Sequence, residues 1–154
     1  MTTTEPAPMT SSTFRPATEA DAEALMELER DTNLVALGHV FPGVAYPEDD
    51  VRARWLALLA DPAVTVEVVG PPERLDVYLA YDADRLRHLG VRPDRWGEGL
   101  ARAAVERAAG TRRLWVLADN DRARGLYAHL GWAPTGRAQT AEWPPYPTEL
   151  EYAR

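Results

Sequence analysis

The chain has 154 residues, a length that suits one compact domain, and its 45% apolar and 27% charged residues are ordinary for a globular protein, which excludes fibrous and wholly disordered classes. Seventeen basic residues face 24 acidic ones for a formal charge of −7, so no basic patch fit to neutralise a run of phosphates is expected and nucleic acid is not the default partner. Cysteine is absent, which removes disulfides, thiolate metal sites, iron–sulfur clusters and a cysteine nucleophile together, and no metal is implied.

Residues 1–12 are small, polar and proline-spotted, with neither a basic nor an apolar targeting segment, and read as a disordered tail before a single domain over 13–154. No apolar run approaches the roughly 18 residues that a membrane span needs, so the expectation is a cytoplasmic protein with no membrane partner. Thr13 to Ala17 is a short strand, after which Thr18 sits at an N-cap with Asp21 three residues on. A first helix to about Arg30 carries Ala24, Leu25 and Leu28 inward, and residues 31–48, broken by Gly38, Pro42, Gly43 and Pro47, read as an irregular connection. Val51, Trp55, Leu58 and Leu59 recur at i, i+4, i+7 and i+8, the apolar face of a second helix over 50–60 that Pro62 closes.

The period then changes. Residues 64–69, 75–81 and 85–91 are β-branched and aromatic runs separated by turn residues, which reads as a three-stranded antiparallel meander. Leu100, Ala101, Ala104, Val105 and Ala108 form the apolar stripe of a third helix ending at Gly110. A buried strand at 114–117, a fourth helix carrying Ala123, Leu126, Tyr127 and Leu130, and strands at 132–136 and 149–152 complete the chain, with Trp143-Pro-Pro-Tyr-Pro147 in the last loop. Strands alternating with helices on a mixed sheet make an α/β (α+β) layered architecture.

The most informative stretch is Gly90-Val-Arg-Pro-Asp-Arg-Trp-Gly-Glu-Gly-Leu-Ala-Arg102. A strand ends there, and Gly97 and Gly99 lead into a helix whose first amides lack internal acceptors, a nest for a phosphate or diphosphate. It is neither a Walker loop, lacking Gly-Lys-Ser/Thr, nor a dinucleotide fingerprint, since Arg102 stands where the third glycine belongs. Taken alone, the two glycines are equally turn residues before a helix.

The loop is followed some twenty residues later by Leu114-Trp-Val-Leu-Ala-Asp-Asn-Asp-Arg-Ala-Arg-Gly-Leu-Tyr-Ala-His-Leu-Gly-Trp132. Together they resemble the GNAT family of N-acetyltransferases. Trp96, Gly99 and Ala101 stand at the positions of that family's Gln/Arg-x-x-Gly-x-Gly/Ala signature, and Asn120, Ala123, Tyr127, Gly131 and Trp132 match its Asn-x-x-Ala-x-x-x-Tyr and Gly-Phe pattern. The resemblance covers about residues 13–137. It implies a mostly antiparallel twisted sheet of six to seven strands flanked by about four helices, with a splayed central parallel pair formed by 85–91 and 113–118.

It also implies acetyl-CoA as co-substrate. Its diphosphate would lie on the amides of Gly97, Glu98, Gly99, Leu100 and Ala101, and its pantetheine on the main chain around Val91; Trp96 is also expected at the coenzyme, without the polar side chain common at its position, though with Arg95 beside it. Glu98, a carboxylate next to a diphosphate, repels it if turned inward and favours the helix N-terminus if turned to solvent. Tyr127 matches the family's proton donor to the departing thiolate, though its place on the apolar stripe equally suits a core aromatic. Asn120 caps its helix and by resemblance also contacts pantetheine. His88 occupies the position of the family's usual glutamate base and, titrating near neutrality, is either the base or a polar lining residue. The segments 31–48 and 138–148 would wall the acceptor site with His39, Phe41, Tyr46, Asp49, Asp50, Trp143 and Tyr146, an aromatic and acidic set suited to a small primary amine, unless Asp49 and Asp50 only cap the second helix. His129 faces away from its stripe and is expected at the surface. The expected activity is direct acetyl transfer to a small-molecule amine by a protein that by resemblance is often a homodimer. The alternative is a non-catalytic CoA or small-molecule binding module on the same fold.

Overall fold

The computed structural model describes residues 13–39, 43 and 45–154. The expected N-terminal tail and Phe41 lie outside the described residues.

Strand β1 is short, Arg15–Pro16, and leads to helix α1 at Ala22–Ala36. The entry is fixed by Asp21, which is fully buried: its carboxylate accepts the Thr18 amide (2.8 Å) and both fork nitrogens of Arg15 (2.8 and 3.0 Å). Helix α1 runs six residues past its expected end at Arg30, because 31–36 contains neither glycine nor proline and the first breaker is Gly38. Helix α2 follows at Glu48–Ala60, then β2 (Thr65–Val69), β3 (Val77–Tyr81) and β4 (Arg85–Val91) as the expected antiparallel meander. Helix α3 (Leu100–Arg107), β5 (Arg113–Leu117), α4 (Asp121–His129), β6 (Ala133–Thr140) and β7 (Thr148–Ala153) complete the order. Strand β6 continues four residues beyond the expected stop at Gly136. That glycine, at φ 92°, sits inside a register shift, and pairing with β7 resumes at Ala138.

The seven strands form one sheet in the order β1-β2-β3-β4-β5-β7-β6, in which only β4 and β5 run parallel. Their ladder holds at Arg85 with Arg113 and at Leu86 with Leu114, and no further pair joins them among the described residues, so the strands part toward their C-terminal ends. This opening gives the molecule its cleft.

Two apolar layers hold the sheet from opposite faces. Under α1 and α2 lie Leu25, Leu28, Val51, Trp55 and Tyr78; under α3 lie Leu79, Leu86, Val91, Leu100 and Val105. Period-two alternation divides β4 between the layers. His88 and Gly90 pair with Ala80 and Tyr78 on the α1/α2 face, and Leu89 and Val91 pair with Leu79 and Val77 on the other. Gly90 is required there, since a Cβ would sit 2.3 Å from the Tyr78 ring. No helix of the described residues is long and apolar enough to cross a membrane.

Candidate active site

Beyond Val91 the chain makes a single 3₁₀ turn over Pro93–Arg95 and passes through Gly97 (φ 86°) and Gly99 (φ 80°) into α3. No atom lies within 4 Å of a Cβ built at either glycine, so the requirement is the left-handed backbone itself rather than space. Among the described residues, the Trp96 amide donates to the Pro93 carbonyl (3.2 Å), and the next main-chain amide to donate within the chain is that of Ala103, to the Gly99 carbonyl at 3.0 Å. The amides from Gly97 to Ala101 are left without an internal acceptor, at the positive end of the helix dipole.

Three ties fix this loop. Arg95, 8% exposed, spans Asp76 (2.9 Å) and Glu98 (2.9 Å). The Trp96 indole N–H donates to the Val91 carbonyl (2.8 Å). The Arg122 guanidinium lies 3.8 Å above the Trp96 ring. Glu98 is therefore drawn toward Arg95 at the surface, the orientation that does not oppose a bound anion. A cleft of about 430 Å³ runs from this loop along Leu89, Gly90 and Val91 to α4, with Arg102 and Arg122 contributing cations to its wall.

Helix α4 is positioned by Asn120, whose Oδ1 accepts the Ala123 amide at 3.1 Å, the expected N-cap. Seven residues on, Tyr127 is 8% exposed, with its ring edge-on to Trp132 at 6.1 Å. Burial pushes its phenol above the ordinary value, which keeps it protonated, and so a donor, at any physiological pH.

A second cleft, about 450 Å³, opens on the α1/α2 face of the parted strands. Leu89, Asn120, Ala123 and Tyr127 line both clefts, so the two meet at the tyrosine. His88 lines the second cleft, 5.4 Å from the Trp55 ring. Burial, then the nearby Arg54 and Arg87 charges, hold its imidazole well below 6.5, and it is neutral at pH 7.

The expected wall is only partly realised. Trp143 lines the cleft, whereas Tyr46 packs against the core under α1 and α2. Asp49 and Asp50 are exposed in the first turn of α2, where Asp49 pairs with Arg52 (2.8 Å), and Tyr146 is 57% exposed. His39 is also exposed; its Nε2–H donates to the Asp119 carbonyl (3.0 Å) and links the end of α1 to the start of α4. His129 is at the surface. Glu29, Arg54, Arg85, Arg87, Glu142 and Glu149, none of them singled out in the sequence, take the missing places. Glu29 had a signal: it sits on the apolar stripe of α1 with Leu25, Leu28 and Thr32, where a carboxylate needs a partner. It has two, the Trp55 indole N–H (2.8 Å) and the Arg54 guanidinium. Burial raises its pKa, and those two partners oppose the rise. Among the described residues no group of three or more metal-ligating side chains is assembled.

The family model for the acetyltransferase (GNAT) family matches residues 10–132. No relative among curated proteins matches. Among solved structures, an acetyltransferase from Thermus thermophilus is 26% identical at a TM-score of 0.66, covering 92% of this chain and 95% of that one. The apo form of YjaB from Escherichia coli is 19% identical at a TM-score of 0.71 over 92% and 95% of the two chains. YncA from Salmonella typhimurium, solved with acetyl-CoA, is 16% identical at 0.61 over 91% of each. The last two speak to the fold alone, and the family rests on the model, which spans most of the chain and includes both the glycine turn and the Asn120–Tyr127 helix. By that match this chain belongs to the acetyltransferase (GNAT) family, and it is an N-acetyltransferase.

Proposed function

We propose that the chain moves the acetyl group of acetyl-CoA directly to the primary amine of a small molecule, with Tyr127 as general acid and His88 as proton acceptor. The reading is carried by one observation: a cleft made of unpaired main-chain donors and a polar cleft on the other face of the sheet share Tyr127. The coenzyme fits the first cleft because its residues offer what a diphosphate needs: acceptor-free amides at Gly97, Glu98, Gly99, Leu100 and Ala101, and cations at Arg102 and Arg122. Past Leu86, β4 has no partner strand among the described residues on its β5 side, so its main chain at Leu89 and Gly90 is open to the amides of an extended pantetheine, as to an added strand, up to the Val91 carbonyl that Trp96 occupies.

Acetyl-CoA supplies an electrophilic thioester and a thiolate leaving group. The Tyr127 phenol, protonated and on the wall common to both clefts, donates a proton to the departing sulfur. His88, held neutral, offers a lone pair to the proton the attacking amine must shed. The chain has no cysteine to form a thioester intermediate, in keeping with direct transfer. Asn120 places α4, and with it the tyrosine. The test is release of free thiol from acetyl-CoA across a panel of primary amines by the wild-type protein and Tyr127→Phe. Amine-dependent release that Tyr127→Phe abolishes supports the proposal, and tight CoA binding with no turnover on any amine overturns it.

A further inference from the structure

The second cleft carries charges of opposite sign at its two ends. In the β5–β7 ladder Leu117 faces Glu149, Trp115 faces Glu151, and Arg113 faces Ala153. Leu117 lies at the parted end of the β4–β5 pair, near Asn120 and Tyr127, and Arg113 lies at the closed end, paired with Arg85. At the parted end the wall carries Glu149, whose carboxylate accepts a single bond from Gln139 (2.9 Å), and Glu142 in the adjoining loop. One level down the balance reverses. Glu151, fully buried, is the shared partner of Arg85 (3.1 Å), Arg137 (3.6 Å) and Arg113 (3.7 Å), and also accepts from Thr135 (2.9 Å). One carboxylate thus serves three guanidiniums.

Arg85 remains 24% exposed along its side chain, and its Nη1 has no partner among the described residues. Arg54, on the same cleft and 19% exposed, pairs with Glu29 while its Nε has none among them. With one carboxylate shared among three guanidiniums, the exposed part of the Arg85 side chain on this wall retains capacity for an anion supplied from outside the chain. Alongside these charges the cleft is lined by the Trp115 and Trp143 indoles and Leu117, apolar surface for methylene groups.

We propose that the acceptor is an amino carboxylate in which the reacting amine and the carboxylate stand several bonds apart. Its ammonium lies at Glu142 and Glu149, beside Tyr127, and its carboxylate at Arg85. The levels of Glu149 and Glu151 are two residues apart on β7, about 7 Å at the rise of an antiparallel strand. That separation suits an ω-amino acid or the ε-amine of lysine, and leaves out simple α-amino groups, whose carboxylate is one carbon away. The assignment rests on the acetyl-transfer reading for its chemistry but is tested first without it.

In calorimetry on the wild-type protein without acetyl-CoA, 6-aminohexanoate is expected to bind at least about tenfold more tightly than hexylamine, the effect of one charge-assisted pairing. Equal affinities overturn the proposal whatever the enzyme turns over. In acetyl transfer, kcat/KM is expected to favour 6-aminohexanoate over hexylamine by a similar factor. Arg85→Gln should collapse that ratio in binding and in turnover while Arg113, Arg137 and Thr135 still hold Glu151. An undiminished ratio in folded Arg85→Gln overturns the assignment of Arg85. Carboxylate-selective binding with no acetyl transfer would strike the catalytic reading and support this one. Equal use of both amines would do the reverse.

Discussion

The two clefts that meet at Tyr127 are made of different materials. The first is main chain: amides from Gly97 to Ala101, two positive-φ glycines, and the free side of β4, drawn mostly from the contiguous stretch 89–101 with α4 closing it. The second is side chain: a carboxylate from α1, a guanidinium from α2, further cations from β4, indoles from β5 and the last loop, and carboxylates from around that loop and β7. A site built of backbone tolerates replacement of most side chains that form it, because the donors belong to every residue but proline. A site built of side chains changes its ligand with each substitution. In this molecule the constant half sits on one sheet face and the variable half on the other, and one phenol is common to both.

The sharpest way to break that division is at the shared point. Tyr127→Phe keeps the ring and its contact with Trp132 but removes the hydroxyl assigned to proton donation. It is expected to lower kcat by about 100-fold or more, within the range for loss of a general acid, while the KM values for acetyl-CoA and for the amine stay within about threefold. Steady-state kinetics on both substrates measures this. A kcat near wild type would make Tyr127 a packing residue and leave the two clefts chemically unconnected.

The next largest effect isolates the main-chain cleft. Gly99→Ala places a Cβ at φ 80°, a conformation that costs an L residue about 1–2 kcal/mol. Because no atom lies within 4 Å of that Cβ, the expected stability loss is this backbone cost with no clash added. Denaturant unfolding measures it. If the loop relieves the strain by leaving its nest geometry, the dissociation constant for CoA rises about tenfold while binding of the acceptor alone is unchanged. Equal weakening of both ligands would mean the clefts are coupled rather than separable.

This division also explains what could be read from the sequence. The glycine turn was legible because main-chain nests demand particular residues at particular spacings: Gly97 and Gly99 take positive φ ahead of α3, and Asn120 caps the helix that carries Tyr127. The strand order of the meander and the parallel pair followed from periodicity and from the family resemblance. The acceptor wall was not legible in the same way. Its residues come from Glu29 to Glu149, and no local pattern records that Arg54 and Arg85 will face one cavity. Asp49 and Asp50 left two readings open for a related reason: acidic residues at the start of an apolar helix suit either an acceptor wall or the helix N-terminus, and the first turn of α2 is where they lie. The extra turns of α1 were missed because residues 31–36 neither favour nor forbid helix strongly and the first breaker, Gly38, comes only after them.

The side-chain cleft is sharpened by pH. His88 has its pKa held well below 6.5 by burial first and by Arg54 and Arg87 next, so it does not gain a proton as pH falls through 6.5. The pH profile of kcat/KM should lack an inflection there and rise instead with ionisation of the amine, which for an alkylamine lies near 10.4. His88→Gln should lower kcat by about tenfold or less, because a base whose pKa lies far from the working pH accepts a proton poorly. The same depression has a sign in stability. The unfolded chain binds a proton at His88 below about 6.5 and the native chain does not, so this contribution is complete above that pH and is lost as pH falls toward the native value. An acid limb at 6.5 in the wild type that His88→Gln removes would show the imidazole to be solvated and the cleft more open than its lining implies.

The smallest effect tests whether the main-chain cleft ignores its side chains. Glu98 lies in the middle of the diphosphate nest by sequence, and a carboxylate facing the ligand would weaken binding strongly. In the structure it is 44% exposed and turned to Arg95, which Asp76 also holds. Removing it leaves the loop anchored and deletes one charge whose field is already balanced by its partner and screened by solvent. Glu98→Ala should therefore tighten CoA binding by no more than about threefold, with little change in its dependence on salt. Tightening beyond about tenfold, strongest at low ionic strength, would place the carboxylate against the ligand. The loop would then owe part of its affinity to side chains, and the contrast between the two clefts would narrow at the one position where the sequence left both orientations of a charge open.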